Sequence, residues 1–188
     1  MEEVLRLLLP RIVRPDIEIE YRQFGSKDNL LKQLPSRLRA YAEWLPQNAM
    51  VLVVVDRDDD DCIRLKEGLD EIAQRAGLVP KSRAAGGRFQ VINRIAVEEL
   101  ESWFFGDWVA VREAYPRLPD LSRKAAYRDP DAIGGGTWEA LERELKYRGY
   151  FNSGLRKREF ARSVAPHMDP QANSSRSFCC LRDVVALL

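Results

Sequence analysis

The spacing of apolar positions along the chain predicts three strands separated by helices. Residues 17–24 (IEIEYRQF) alternate between apolar and polar side chains, which is typical of a half-buried strand. Residues 49–56 (AMVLVVVD) form a continuous β-branched run that favours a strand buried on both faces. Residues 89–97 (FQVINRIAV) predict the third strand.

Two helices are predicted in the first quarter of the chain. Residues 2–13 indicate a short helix that Pro10 trims or kinks, because proline lacks the backbone donor of a helix interior. Residues 29–46 indicate a longer helix, for which Ser26 or Asp28 supplies the N-cap.

The clearest helix follows the second strand. Its apolar side chains between residues 62 and 77 form one stripe, and Gly77 marks its end. A further helix is predicted to open at residues 98–106 (EELESWFFG), and Asp107 is expected to cap the next one.

This alternation predicts an α/β fold: a mostly parallel sheet with flanking helices. Beyond residue 117 the chain predicts loops and short helices without strands. We therefore expect an α/β domain over residues 1–117 and a helical C-terminal extension over residues 118–188 that packs on it.

Composition narrows the classes of partner and compartment. Hydrophobic residues make up 45% of 188 positions, enough for a sizeable core, and the formal net charge of +1 indicates no polyanion or membrane partner by itself. No apolar run approaches the roughly 18 residues that span a bilayer. Three cysteines without a Cys/His cluster favour a cytoplasmic protein without a zinc site.

An aspartate cluster, DRDDDD, follows the second strand. Asp56 falls at the carboxyl end of that strand, where α/β sheets bind ligands, and Asp58 can turn to the same side if the backbone stays extended. Two neighbouring carboxylates repel each other, and a divalent cation such as Mg²⁺ removes that penalty. Asp56 and Asp58 are therefore predicted metal ligands of a phosphoryl-transfer site.

Other interpretations of the cluster stay open. Asp60 or Asp61 is expected to cap the helix at Cys62, and the rest of the turn is then only solvated. A calcium loop is opposed by Asp61 at the position that needs glycine. A phosphoaspartyl site with Asp56 as nucleophile requires a later Lys and Ser or Thr that we cannot place.

A second acidic group, Glu98, Glu99 and Glu101, follows the third strand. If the third strand neighbours the second, Glu99 or Glu101 can join the metal shell. The alternative is that these acids only complement the dipole at the start of a helix.

Bases outnumber acids from Leu121 to the end of the chain. Four of them are predicted to hold the phosphates of nucleic acid, although a solvated helical face explains them equally well: Arg156, Lys157, Arg158 and Arg176. The glycine run 134–136 lacks the lysine of a phosphate-binding loop, and we interpret it as a hinge before a helix capped by Thr137.

Four segments together resemble the bacterial family labelled domain of unknown function 4276, which is related to the Toprim fold. They are VLVVVDRDDDDC (51–62), RIAVEELESWFFGD (94–107), DPDAIGGGTWEALERELKYRGYF (129–151) and ARSVAPHMDPQANSSRSF (161–178). The resemblance covers nearly the whole chain. It implies a Toprim-like, Rossmannoid sheet.

The resemblance also implies a metal site. In the Toprim pattern a glutamate at the end of the first strand and an Asp-x-Asp after the third strand hold Mg²⁺, and Asp56 and Asp58 match the Asp-x-Asp. The chain begins at the helix that follows the family's first strand. The resemblance therefore implies that this strand and its glutamate are lacking, and Glu2 and Glu3 are poor substitutes for it.

The expected function is that of a Mg²⁺- or Mn²⁺-dependent nuclease or phosphoryl-transfer protein acting on DNA or RNA. Its expected catalytic residues are Asp56, Asp58, Glu99 and Glu101. Because members of the family are often encoded beside AAA or ABC-type ATPases, the resemblance implies an ATPase partner and a role in anti-phage defence. The alternative is a degenerate Toprim-like module that binds an ATPase or nucleic acid without cleavage. A second copy of the chain, in a homodimer, would cover the sheet edge that the lacking strand exposes.

Overall fold

A computed structural model describes residues 1–121 and 124–188 of the chain. The fold is mixed α/β, as the alternation of elements predicted. In chain order its main elements are α1 (Glu2–Leu8), α2 (Lys27–Trp44), β1 (Val51–Asp56), α3 (Cys62–Arg75), β2 (Val91–Ala96), α4 (Glu101–Gly106), α5 (Trp108–Ala114), α6 (Thr137–Tyr147), α7 (Lys157–Val164) and α8 (Arg176–Val185).

These elements form two compact units. The sheet unit is Arg22–Ile95, and the helical unit combines Met1–Tyr21 with Ala96–Leu188. The domain boundary that the sequence places between residues 117 and 118 stays a prediction.

The sheet unit is built around a two-stranded parallel sheet in which β1 pairs with β2. The backbone N–H of Val51 donates to the carbonyl of Gln90 at 2.8 Å, where the pairing begins. Helices α2 and α3 supply the rest of one apolar core, whose buried side chains include Leu34, Leu38, Val53, Val55, Leu69, Ala73, Val91 and Ile95.

Polar caps begin the helices where the sequence predicts them. The side chains of Ser26, Asp61 and Asp107 each accept a hydrogen bond from the backbone N–H three residues later, at 3.2, 2.8 and 3.2 Å. Gly77 follows the end of α3 with a φ of +82°, a conformation that glycine adopts without steric cost. These predictions are confirmed.

The predicted strand over residues 17–24 is wrong. Within the part of the chain that the structure describes, the sheet contains only β1 and β2. Residues 17, 19 and 21 are half-buried and residues 18 and 20 exposed, so the alternation of two faces is real. A strand also needs a neighbouring strand to complete its hydrogen bonds, and the pattern of side chains does not specify that neighbour.

The depth of β1 in the structure also differs from the prediction. Val53 and Val55 are buried, but Val51, Leu52 and Val54 are only half-buried, so β1 is covered mainly on one face. The more deeply buried strand is β2, in which only Arg94 is partly exposed. A β-branched run therefore predicted the strand correctly but not its burial on both faces.

The helical unit has an aromatic core. The rings of Trp103 and Phe178 lie 5.3 Å apart between centroids, and those of Phe104 and Phe160 lie 5.0 Å apart. All four side chains are fully buried, which ties α4, α7 and α8 together. None of the helices in residues 1–121 and 124–188 combines the length and apolarity that crossing a bilayer requires.

Candidate functional site

The aspartate turn, Asp56–Asp61, joins β1 to α3. Asp56 is the last residue of β1, and the N–H of Asp60 donates to the carbonyl of Arg57 at 3.2 Å to close the turn. Asp58 adopts a left-handed backbone with a φ of +51°. The extended backbone that would place Asp56 and Asp58 on one side is therefore not formed, and their pairing as metal ligands stays a prediction.

The ammonium of Lys27 occupies the concave side of this turn. Its Nζ lies 2.7 Å from Asp58 Oδ2 and 2.9 Å from Asp60 Oδ2, and it donates to the carbonyl of Arg57 at 2.9 Å. Burial alone would lower the pKa of Lys27, but its hydrogen bonds to the two carboxylates raise it overall. The lysine therefore stays protonated and neutralises part of the turn.

The oxygens of the aspartate turn fit a hard cation. Two carboxylates and one main-chain carbonyl converge on one positive centre, and these are the donors that Mg²⁺ and Ca²⁺ prefer. No group of three acidic, histidine or cysteine side chains suited to a metal occurs within residues 1–121 and 124–188. The donors thus fit a divalent cation chemically, with water or substrate completing the shell.

The second acidic group lies in the helical unit and surrounds Lys157. The lysine Nζ is 3.4 Å from Oε1 of both Glu99 and Glu101. The other oxygen of Glu99 accepts hydrogen bonds from the Thr137 hydroxyl at 3.2 Å and the Trp138 N–H at 3.3 Å. Glu99 thereby satisfies a backbone donor in the first turn of α6, where an anion is favoured.

Glu101 is a buried carboxyl group. Only 7% of its side chain is exposed, and this burial raises its pKa even though the charge of Lys157 opposes the shift. The two glutamates also raise the pKa of Lys157 against the effect of its own burial. A buried carboxyl with a raised pKa is suited to proton transfer, although structural ion pairs produce the same shift.

Two local predictions around this cluster are wrong. The helix expected from Glu98 begins only at Glu101, because Glu98 has a φ of +62°. Thr137 is the first residue of α6 and not its cap; Gly136, with a φ of +87°, holds the cap position. The hydroxyl of Thr137 is instead used to bind Glu99.

Asp56 and Asp58 belong to the sheet unit, whereas Glu99 and Glu101 belong to the helical unit. The structure brings Asp58 together with Asp60 and brings Glu99 together with Glu101. The joining of the two acidic groups in one metal shell stays a prediction.

The predicted phosphate-binding bases differ in their surroundings. Arg156 pairs with Glu159 at 2.9 Å and lies over the ring of Phe151, while Arg158 and Arg176 are exposed. Lys157 is engaged by the two glutamates. The role of all four in binding nucleic acid stays a prediction.

A groove at the C-terminal end of α6 is a feature that the sequence analysis did not identify. It encloses about 270 Å³ and is lined by Lys124, Arg143, Glu144, Tyr147 and Arg148. Tyr147 is 79% exposed, and the guanidinium of Arg148 lies 5.1 Å from the centre of its ring. The interleaving of bases and tyrosines in RELKYRGY was the available signal, and it lay outside the four bases that were selected.

Asp70 is a buried acid that the sequence analysis also missed. It accepts hydrogen bonds from Lys66 at 2.8 Å, from Asn93 at 2.7 Å and from Ser82. These bonds, opposed by burial, lower its pKa. Because they join α3, β2 and the segment before β2, we interpret Asp70 as a structural anchor of the sheet unit.

Comparison with known proteins identifies a family. The profile described as "Domain of unknown function (DUF4276)" matches residues 1–186, so the chain belongs to that family, as the four segments predicted. Neither the curated proteins nor the solved structures contain a match to the chain.

Proposed function

We propose that the chain is a Toprim-like, Mg²⁺- or Mn²⁺-dependent phosphoryl-transfer protein, a nuclease that acts on DNA or RNA. One observation carries this proposal. Directly after the carboxyl end of β1, the oxygens of Asp58, Asp60 and the Arg57 carbonyl converge on a single positive centre. A turn that already holds one cation has the charge and donor atoms to hold another.

In this proposal Asp56 and Asp58 hold the metal. When bound, a divalent cation there would activate water and stabilise negative charge on the phosphoryl group. Glu99 and Glu101 assist, and the raised pKa of Glu101 favours a role as proton donor to the leaving oxygen.

The basic and aromatic groove of α6 supports a nucleic-acid substrate. Lys124, Arg143 and Arg148 offer positive charge to phosphates, and the exposed ring of Tyr147 offers a stacking platform for a base. Arg156, Arg158 and Arg176 would extend the positive surface of the helical unit.

A second candidate function is a module that binds nucleic acid or an ATPase partner without cleavage. It is favoured by the two lysines, since Lys27 and Lys157 already neutralise the acidic residues that catalysis requires. The ATPase partner and the role in anti-phage defence are expectations from the family resemblance. In this alternative the chain would act as the recognition subunit of such a complex, as a monomer or a homodimer.

Plasmid nicking with Mg²⁺ or Mn²⁺ tests the first proposal. Wild type is expected to nick supercoiled DNA, or cleave a labelled RNA, only with the metal, and Asp56→Ala is expected to lose this activity. Asp59→Ala is the matched control, because Asp59 lies in the same turn and is exposed. Failure of wild type to cleave either substrate, with the metal and an ATPase partner present, would contradict the nuclease proposal.

Fluorescence anisotropy with labelled single-stranded oligonucleotides tests substrate binding in either candidate function. Tyr147→Ala is expected to weaken binding by about 1–3 kcal/mol, the contribution of one stacked base. Trp44→Ala is the control, because Trp44 is an exposed aromatic residue of the sheet unit. Equal weakening by both substitutions, or by neither, would contradict a role for the groove.

A further inference from the structure

Lys27 occupies an unfavourable position in its own helix. It is the first residue of α2, where the helix dipole favours negative charge and opposes a lysine. Its side chain is nevertheless only 16% exposed, and it points its ammonium into the aspartate turn. Because neither the helix nor the burial stabilises the charge, the oxygens of the turn must do so.

The contacts of the ammonium resemble those of a small bound cation. Three oxygens lie 2.7–2.9 Å from Nζ, two from carboxylates and one from the main chain. The lysine lies inside, whereas about half of each carboxylate faces solvent, with 48% of Asp58 and 51% of Asp60 exposed. An ion arriving from solvent thus meets the carboxylates without any rearrangement of the sheet.

We propose that Lys27 is a tethered cation that competes with a divalent metal for the aspartate turn. The metal-free turn is held by Lys27, and a metal that binds Asp58 must first displace the ammonium. This inference rests on the proposed function, since it takes the turn to be the metal site of the chain. It makes Lys27 the residue that sets metal affinity.

The left-handed backbone of Asp58 agrees with this competition. A φ of +51° is uncommon for a residue with a side chain, although aspartate tolerates it, and here it directs the carboxylate to Lys27. Release of the lysine removes the partner that holds this geometry. Asp58 is then available to turn towards the end of β1, where Asp56 lies.

Mn²⁺ binding, measured by calorimetry and by the electron paramagnetic resonance of free Mn²⁺, tests the competition. Lys27→Met is expected to bind Mn²⁺ roughly tenfold more tightly than wild type, because the competing charge is gone. Lys27→Arg keeps the charge and is expected not to gain affinity. Lys32→Met removes an exposed lysine from the same helix and is expected to match wild type.

A double variant, Lys27→Met with Asp58→Asn, identifies where the added metal binds. It is expected to lose the gain, whereas persistence of the gain would place the metal elsewhere and overturn the proposal. Equal affinity of wild type and Lys27→Met would overturn it as well. Lys27→Gln is a second uncharged variant if Lys27→Met does not fold, and unfolding curves verify each protein.

Failure of this inference differs from failure of the proposed nuclease. Metal affinity that does not respond to Lys27, in a protein that cleaves DNA with Asp56, contradicts only the tethered cation. A tenfold gain in Mn²⁺ affinity without cleavage by any variant contradicts only the nuclease.

Discussion

Two lysines in this chain each lie between two acidic side chains, but their burial is opposite. In the sheet unit Lys27 is buried and its carboxylates are half exposed, at distances of 2.7 and 2.9 Å. In the helical unit Lys157 is half exposed and Glu101 is buried, with both contacts at 3.4 Å. The same three charges are thus arranged from opposite sides of the protein surface.

The difference separates a replaceable charge from a fixed one. At the aspartate turn, the anions face solvent and can exchange one cation for another. In the helical unit, the buried Glu101 depends on Lys157, because a charged carboxylate away from water is costly without its partner. We therefore expect the first cluster to respond to metals and the second to determine stability.

Removal of Lys157 is expected to have the largest effect on stability. Lys157→Met leaves Glu101 buried without its counter-charge, and we expect a loss of about 2 kcal/mol, less than for a fully buried pair because Lys157 is half exposed. Urea unfolding measures the loss. The double variant with Glu101→Gln is expected to recover most of it, and no recovery would contradict the role of the buried charge.

The pH dependence of this loss is the next effect in size. Because burial raises the pKa of Glu101 above 4.5, its contribution to stability is present below that pH and is lost as the pH rises through the folded pKa. Lys157 opposes that rise in pKa, so the loss caused by Lys157→Met is expected to shrink as the pH falls towards 4.5. Unfolding curves across this range should show the trend, and it should vanish in a Glu101→Gln background.

Removal of Lys27 is expected to cost less. Lys27→Met leaves two half-exposed carboxylates that water solvates, so we expect a loss of about 1 kcal/mol or less. Mn²⁺ or Mg²⁺ is expected to restore this stability, because a ligand that binds only the folded state stabilises it. Thermal unfolding with and without the metal measures the effect. A metal-independent loss greater than that of Lys157→Met would reverse the comparison.

The smallest expected effect concerns the backbone of the turn. Asp58→Asn is expected to change the free energy of unfolding by about 0.5 kcal/mol or less, since asparagine also tolerates a left-handed backbone. Asp58→Ala is expected to cost about 1 kcal/mol more than Asp58→Asn, because alanine does not tolerate it. Equal effects of the two substitutions would show that this backbone conformation is not maintained in solution.

Local signals in the sequence were sufficient for most of the fold. Capping side chains such as Asp61 and the glycine after α3 act within one helical turn, so their effects could be predicted from spacing. Burial and pairing of strands depend on neighbours far along the chain. The alternation at residues 17–24 and the β-branched run of β1 could therefore not reveal the number of strands or the depth of the sheet.

The same limit explains the candidate site. The sequence indicated the acidic residues because they cluster within a few positions, as Asp56 and Asp58 do. It did not indicate Lys27, which is 31 residues from Asp58, or the link of Lys157 to Glu101 across 56 residues, because these contacts form only when helices pack. The resulting neutralisation of both acidic groups is a property of the fold.

The most direct test of the tethered cation is a crystal structure of the wild-type chain with Mn²⁺, in which anomalous scattering locates the metal. We predict a Mn²⁺ peak at the aspartate turn within bonding distance of Asp58, with the Lys27 ammonium displaced from its contacts with Asp58 and Asp60. No peak at the turn, or a bound metal with the Lys27 contacts unchanged, would contradict the account.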